Sequence, residues 1–212
     1  VAGRSNPPAS TPADPSGLPA ADRAAMAAAS ERAQRLTRPG VPVELDIPIR
    51  TPNHPDGVHA RVTSNPLNPD GTLHVPADPK TVSWARQDVA PGSARGTAIL
   101  TSHINYVING RLVIGALSDL AWYAKHAIGT TISVRLADGR VLRYRLVAGR
   151  EYNKSQLAAS PGLRAELYDQ RRVYGPADHP SGRLLLVSCG GAFDPYTGEY
   201  EDNVFLYALP VS

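Results

Sequence analysis

Beyond Gly40 the apolar positions fall in short runs separated by turn residues: VELDIPI, TLHVP, GTAILTSH, TTISVRL, VLRYRLVAG, RLLLVSC and NVFLYAL. Runs of this length, rich in Val, Ile, Leu, Thr and Tyr and bounded by Gly, Pro, Asn and Asp, predict β-strands. The clearest pair flanks Ala137, Asp138 and Gly139, where two alternating stretches meet at an Asp-Gly step and predict a hairpin. Asp70 and Gly71, between Pro69 and Thr72, predict a second turn, and residues 116–127 a short helix that stops before Gly129. Seven or eight strands joined by loops close most economically into a barrel, which leaves no exposed edge. The last strand, opened by Asn203, is expected to lie beside the one that ends at Cys189, because consecutive strands usually neighbour each other.

The N-terminal part has a different texture. Residues 1–18 hold Pro7, Pro8, Pro12 and Pro15 among Ser, Ala and Asp, too little apolar surface to offset ordering, and predict a flexible linker. The run AADRAAMAAASERAQRL that follows is rich in strong helix formers, with Asp22 early, Arg32 and Arg35 late, and a stop at Pro39-Gly40. The expected organisation is thus a linker over 1–18, a helix over 19–38 and a mostly β domain over 41–212. No repeat of solenoid or propeller period is present.

Composition narrows the function classes. The chain has 212 residues, with 20 prolines and 18 glycines, which argues against a helical bundle. Its formal net charge of +3 is scattered, so no basic run forms a nucleic-acid footprint. No apolar run approaches transmembrane length and no secretory leader is legible at the start, so the chain as given reads as soluble. Its Pro, Ala and Ser-rich beginning suits either a linker beyond a removed anchor or a disordered tail. A single cysteine excludes an internal disulfide framework and a Cys-rich zinc site, and no acidic loop has calcium-binding spacing. No metal and no cofactor are expected.

Candidate chemistry gathers at three places. Cys189 follows RLLLV and Ser188 and precedes Gly190 and Gly191, a position where a buried strand is expected to end and an open loop to begin. A lone cysteine is more often a buried structural thiol, but an inert core thiol needs no permissive glycine neighbours. His103 follows GTAILTS at the end of another apolar run; the remaining histidines lie in turn-like or unremarkable contexts. A Cys and a His at strand ends are the minimum for thiol catalysis, in which the imidazole moves protons for the nucleophile and the leaving amine. The third place is GAFDPYTGEYEDNVFLYALP, where Asn203 has an amide able to donate to a developing oxyanion and Glu201 and Asp202 add negative charge. A solvated turn is the alternative reading of Asp202 and Asn203.

Taken in order, VELDIPI, NPDGTLHVPADPKTVSWA, PGSARGTAILTSHIN, ADGRVLRYRLV, RLLLVSCGGAFDPYTGEYEDNV and FLYA resemble the sortase family, in particular the class F sortases of actinobacteria, over residues 42–210. The resemblance implies a sortase-type closed eight-stranded β-barrel with short helices. It also implies cysteine transpeptidation, with Cys189 as nucleophile and His103 as acid and base. The implied partners are an LPXTG-like sorting-signal peptide, cleaved between Thr and Gly, and an amine of a cell-wall precursor. The implied location is the outer face of the cell membrane, through an upstream tether that this chain lacks. The family also places an Arg shortly after the Cys loop, and here the sequence departs. The matching position is Glu201 or Asn203, and residues 190–212 contain no Arg. Arg143, Arg145 and Arg183 are the candidates to replace it from other strands. Two other readings follow from the residues: a binding module on the same barrel that holds its peptide without cleaving it, and a cysteine hydrolase with water as acceptor.

Overall fold

The computed structural model describes residues 19–211; the expected linker over 1–18 lies outside the described residues. The chain divides into two units, Val1–Arg35 and Leu36–Ser212. In the first, the Ala-rich run forms helix α1 (Ala20–Thr37), with Asp22 in its first turn.

The second unit is built on a closed barrel. Its strands are β1 (Pro42–Ile47), β2 (Val58–Asn65), β3 (Val82–Ala85), β4 (Thr97–Thr101), β7 (Thr131–Leu136), β8 (Val141–Asn153), β9 (Arg183–Asp194) and β10 (Glu199–Pro210). Around the barrel they run β1, β2, β3, β4, β9, β10, β8, β7 and back to β1, so that no edge is left open. Strands β5 (Asn105–Ile108) and β6 (Arg111–Ile114) form a separate two-stranded hairpin. Three short helices complete the unit: α2 (Leu120–His126), α3 (Lys154–Ala159) and α4 (Pro161–Leu167).

Alternation decides what each strand buries. On β9, Leu184 and Leu186 point into the barrel with Val204, Leu206 and Ala208 of β10, and join Leu45, Ile47, Ile132, Val134 and Leu146 in the main core. The intervening residues Leu185 and Val187, with Phe205 and Tyr207, face outward and are buried again, under Leu157 of α3 and Leu167 of α4. Phe205 is fully buried, its ring flanked by Tyr152 and Tyr168 at centroid distances of 6.0 and 5.9 Å. Strands covered on both faces explain why RLLLV and NVFLYAL read as continuous apolar runs instead of alternating ones.

The hairpin at residues 137–139 forms as expected, with Gly139 at φ 85°. The turn at Asp70-Gly71 forms too, the Asp70 carboxylate accepting from Thr72 N and Oγ1. The segment TLHVP, expected as a strand, is irregular. Pro69, Pro76 and Pro79 bracket it and deny it ladder donors. Its backbone serves β4 instead, His74 O accepting from Thr101 Oγ1 at 2.7 Å.

Candidate active site

Cys189 lies within β9, not at its end as the glycines suggested. The strand continues to Asp194 and turns back through residues 195–198 into β10. Gly190 and Gly191 mark a change of register instead of a loop. Pairing shifts between Tyr200 and Asp202, and Gly191 takes φ 73°, a backbone conformation that other residues rarely adopt.

Strand register sets the three predicted residues in a row. Strands β4 and β9 are parallel, with Thr101 opposite Val187. Two residues further on, each chain reaches His103 and Cys189 respectively, and Ser102 N donates to Val187 O at 3.3 Å just past the end of β4. On the other side of β9, Cys189 pairs directly with Asn203, which pairs in turn with Tyr152 of β8. Neighbouring strands lie about 4.8 Å apart, so His103, Cys189 and Asn203 share one level of the sheet. Cys189 and Asn203 follow the alternation of Val187 and Phe205 and face outward, off the barrel core.

His103 is held from three directions. Its ring donates to the Pro76 carbonyl and packs on Tyr106 with centroids 4.9 Å apart. Just before it, Ser102 Oγ donates to Thr81 O at 2.8 Å, and Thr101 is tied to His74. Behind its backbone lies Gly115, whose N–H donates to Ile104 O at 2.7 Å. The loop that failed to become a strand is thus what anchors the histidine.

Burial acts on the two reactive groups in opposite directions. It pushes the Cys189 thiol above its ordinary pKa, with the Lys154 charge opposing and the Glu199 charge reinforcing the shift. It pushes the His103 imidazole below its ordinary value, against the bond to Pro76. Both groups are therefore mostly neutral near pH 7, and the thiolate–imidazolium form is a minor species that substrate must draw upon.

The three replacement arginines are not at this site. Arg183 is six residues from Cys189 along β9, about 20 Å at strand rise. Its guanidinium is sandwiched between the Tyr174 and Tyr207 rings, 4.2 and 4.3 Å from their centroids, and donates to Thr97 Oγ1 and to the carbonyls of Glu166 and Leu167. Arg145 pairs with Leu209 and Arg143 lies beyond it, whereas the Cys189 row meets β8 at Tyr152. Seven residues, about 23 Å, separate Arg145 from that row. Glu201 is exposed on β10. Asn203 is the amide donor in the row, and among the described residues no group of His, Cys, Asp and Glu is arranged to hold a metal ion.

Two features had no legible signal in the sequence. Asn105 Nδ2 donates to Tyr200 Oη at 2.7 Å, tying the β5–β6 hairpin to the start of β10. Lys154, the first residue of α3, pairs with Glu199 at 3.1 Å, on the β10 strand that lies beside the one carrying the thiol. Each joins residues more than forty positions apart, and only the barrel topology brings them together.

No family model matches the chain, and no curated protein matches it. Solved structures do. Sortase A from Corynebacterium diphtheriae, in a lid-mutant form, aligns with a TM-score of 0.51 at 12% identity over 86% of this chain and 78% of that one. The chain has the sortase fold. Sortase E1 from Streptomyces coelicolor, solved with a tripeptide in its active site, aligns with a TM-score of 0.49 at 16% identity over 82% and 89% of the two chains. Sortase C from Clostridium perfringens aligns at 0.49 and 10% identity over 93% of each. The matches span several sortase classes, so the likeness carries the fold and not class F.

On this sortase barrel, a cavity of about 270 Å³ opens on the same outward face as Cys189, between β8, β10 and α4. Tyr152, Leu163, Leu167 and Tyr207 give it apolar walls. A larger cavity of about 500 Å³ lies beside β2 and β6, and neither cavity is lined by His103, Cys189 or Asn203; the smaller one reaches the row through Tyr152 and runs back to Arg183.

Proposed function

We propose that the protein is a sortase-type cysteine transpeptidase of the class F branch, with Cys189 as nucleophile, His103 as acid and base, and Asn203 as a neutral oxyanion donor. The observation that carries this reading is the register row, in which parallel β4 and β9 bring His103 and Cys189 to one level beside Asn203. The Cys189 thiolate attacks the carbonyl carbon of the scissile amide, forming a C–S bond while the carbonyl electron pair moves to oxygen. Collapse of that oxyanion breaks the C–N bond, and the amine leaves with a proton from His103. An incoming amine then gives a proton back to His103 and displaces the thiolate from the thioester.

The substrate in this reading is an LPXTG-like sorting-signal peptide, whose apolar residues suit the recess under α4. The acceptor is a cell-wall precursor amine, and the site of action is the outer face of the cell membrane. Incubation of such a peptide with and without a glycine-type or diaminopimelate-type amine, followed by product analysis, tests the reaction class. Amine-dependent ligation supports it, and hydrolysis at the same rate with or without amine supports the hydrolase instead. A second reading, a module that binds the peptide without cleaving it, is favoured by the absence of Arg from residues 190–212, where the resemblance expects one at Glu201 or Asn203. Losing one oxyanion donor costs about a hundred- to a thousandfold in rate elsewhere.

The pH profile follows from the opposed shifts. Below the lowered His103 pKa both groups are protonated and no thiolate forms; above the raised Cys189 pKa both are deprotonated and no acid remains for the leaving amine. The rate is expected to be bell-shaped, with a plateau wider on both sides than an unperturbed Cys–His pair would give. A maximum confined near pH 6, falling off by pH 8, would contradict this assignment.

A further inference from the structure

Acyl transfer through a thiolate needs positive charge or strong donors near the sulfur and the oxyanion, and β10 supplies only the Asn203 amide at that level. The charged groups around Cys189 come from three elements. The backbone after β4 brings His103. Strand β10 brings Glu199, Glu201 and Asp202, of which Asp202 accepts from Asn153 Nδ2 at 3.2 Å. The end of β8 and its junction with α3 bring Glu151, whose carboxylate oxygen lies 3.1 Å from where a Cβ on Gly190 would stand, and Lys154, two residues past Tyr152 in the Cys189 row. Asn153 pairs with Asp202, and its side chain accepts from Ser155 N at 2.9 Å, so the backbone on both sides of Lys154 is fixed. The Lys154 side chain is two-thirds covered, and its ammonium lies 3.1 Å from the Glu199 carboxylate, on the hairpin that carries the thiol. Arg150, on the same face of β8, turns away and donates to Gly149 O.

We propose that Lys154 is the cation of this active site, balancing the negative charge of the Cys189 thiolate and of the oxyanion, and that Glu199 holds it and moderates its effect. The role of Lys154 at the oxyanion rests on the transpeptidase reading, whereas its role at the thiolate does not. When thiolate forms, Lys154 exchanges part of its attraction to Glu199 for attraction to sulfur, with no change in its own protonation. The opposite signs with which Lys154 and Glu199 act on the thiol agree with this division of labour.

The test is the pH dependence of Cys189 alkylation by iodoacetamide in the full chain, for the wild type and for Lys154→Met, Lys154→Arg and Glu199→Gln. Alkylation needs no sorting peptide, so its outcome is independent of the transpeptidase reading. The midpoint is expected to rise by about half a pH unit or more in Lys154→Met, to stay near wild type in Lys154→Arg, and to fall in Glu199→Gln. Peptide acylation is expected to slow at least tenfold in Lys154→Met and to recover in Lys154→Arg. Coincident alkylation profiles for wild type and Lys154→Met would overturn the proposal. If the shifts occur but no sorting peptide acylates the wild type, the thiolate role stands, and the oxyanion role falls with the transpeptidase reading.

Discussion

Replacing His103 by Ala is expected to slow acyl transfer by about a hundred- to ten-thousandfold while leaving the fold intact and Cys189 open to alkylation. The reasons lie in its placement. His103 sits past the end of β4, half exposed, and contributes no strand pairing and no core burial. Its ring contacts are the Pro76 carbonyl, in an irregular segment, and Tyr106, on the small β5–β6 hairpin outside the barrel. Chemistry loses more. Without the imidazole, nothing in the row removes the thiol proton or protonates the departing amine, because Asn203 is a neutral amide and Glu199 and Glu201 stand at other levels of β10. Parallel measurements of thermal stability, alkylation rate and peptide transfer separate the effects. A variant retaining more than a tenth of wild-type transfer would show that another group carries the proton.

A second large effect is expected from Gly115→Ala, a substitution that removes no functional group. A Cβ at Gly115 would lie 2.1 Å from the His103 carbonyl oxygen, 2.6 Å from its carbonyl carbon and 2.9 Å from that of Ile104. These are backbone atoms with no flexible end to swing aside, so the connection from β4 to β5 that carries His103 and the backbone just after β6 must separate. Overpacking of this kind costs about 1–3 kcal/mol. The displaced atoms carry the imidazole to which the proposed mechanism gives the proton transfers, so transfer is expected to fall at least tenfold alongside a lowered Tm. Alkylation of Cys189, which is held by β9 and its pairing with β10, is expected to change little. An Ala variant with wild-type Tm and wild-type transfer would mean that His103 is not held through this contact.

The barrel was largely legible because its strands announce themselves. RLLLV and NVFLYAL are apolar on both faces, and in the structure they are covered on both faces, by the barrel core and by α3 and α4. The Asp-Gly hairpin was legible for a local reason, since the turn needs positive φ at Gly139. Strand β2 was missed because its inward residues, Val58, Ala60 and Val62, are few and small, although the alternation with His59 and Arg61 is regular. TLHVP was misread because apolar content says nothing of hydrogen bonding, and its flanking prolines left it to latch β4 instead. At the proposed site, Cys189 and His103 could be singled out by residue type and context, but not the parallel β4–β9 register that sets them level. Lys154 was invisible for the same reason: its relation to Cys189 runs through β10 and the turn at residues 195–198, not through any spacing along the chain.

The central claim is that Cys189 forms an acyl intermediate. Mass spectrometry of the intact protein after incubation with an L-P-x-T-G peptide, with Cys189→Ala as control, tests it most directly. The proposed mechanism predicts an added mass equal to the peptide acyl fragment on the wild type alone, discharged when an amine is supplied. Peptide bound by the reduced, folded protein with no added mass, or equal labelling of Cys189→Ala, would contradict it.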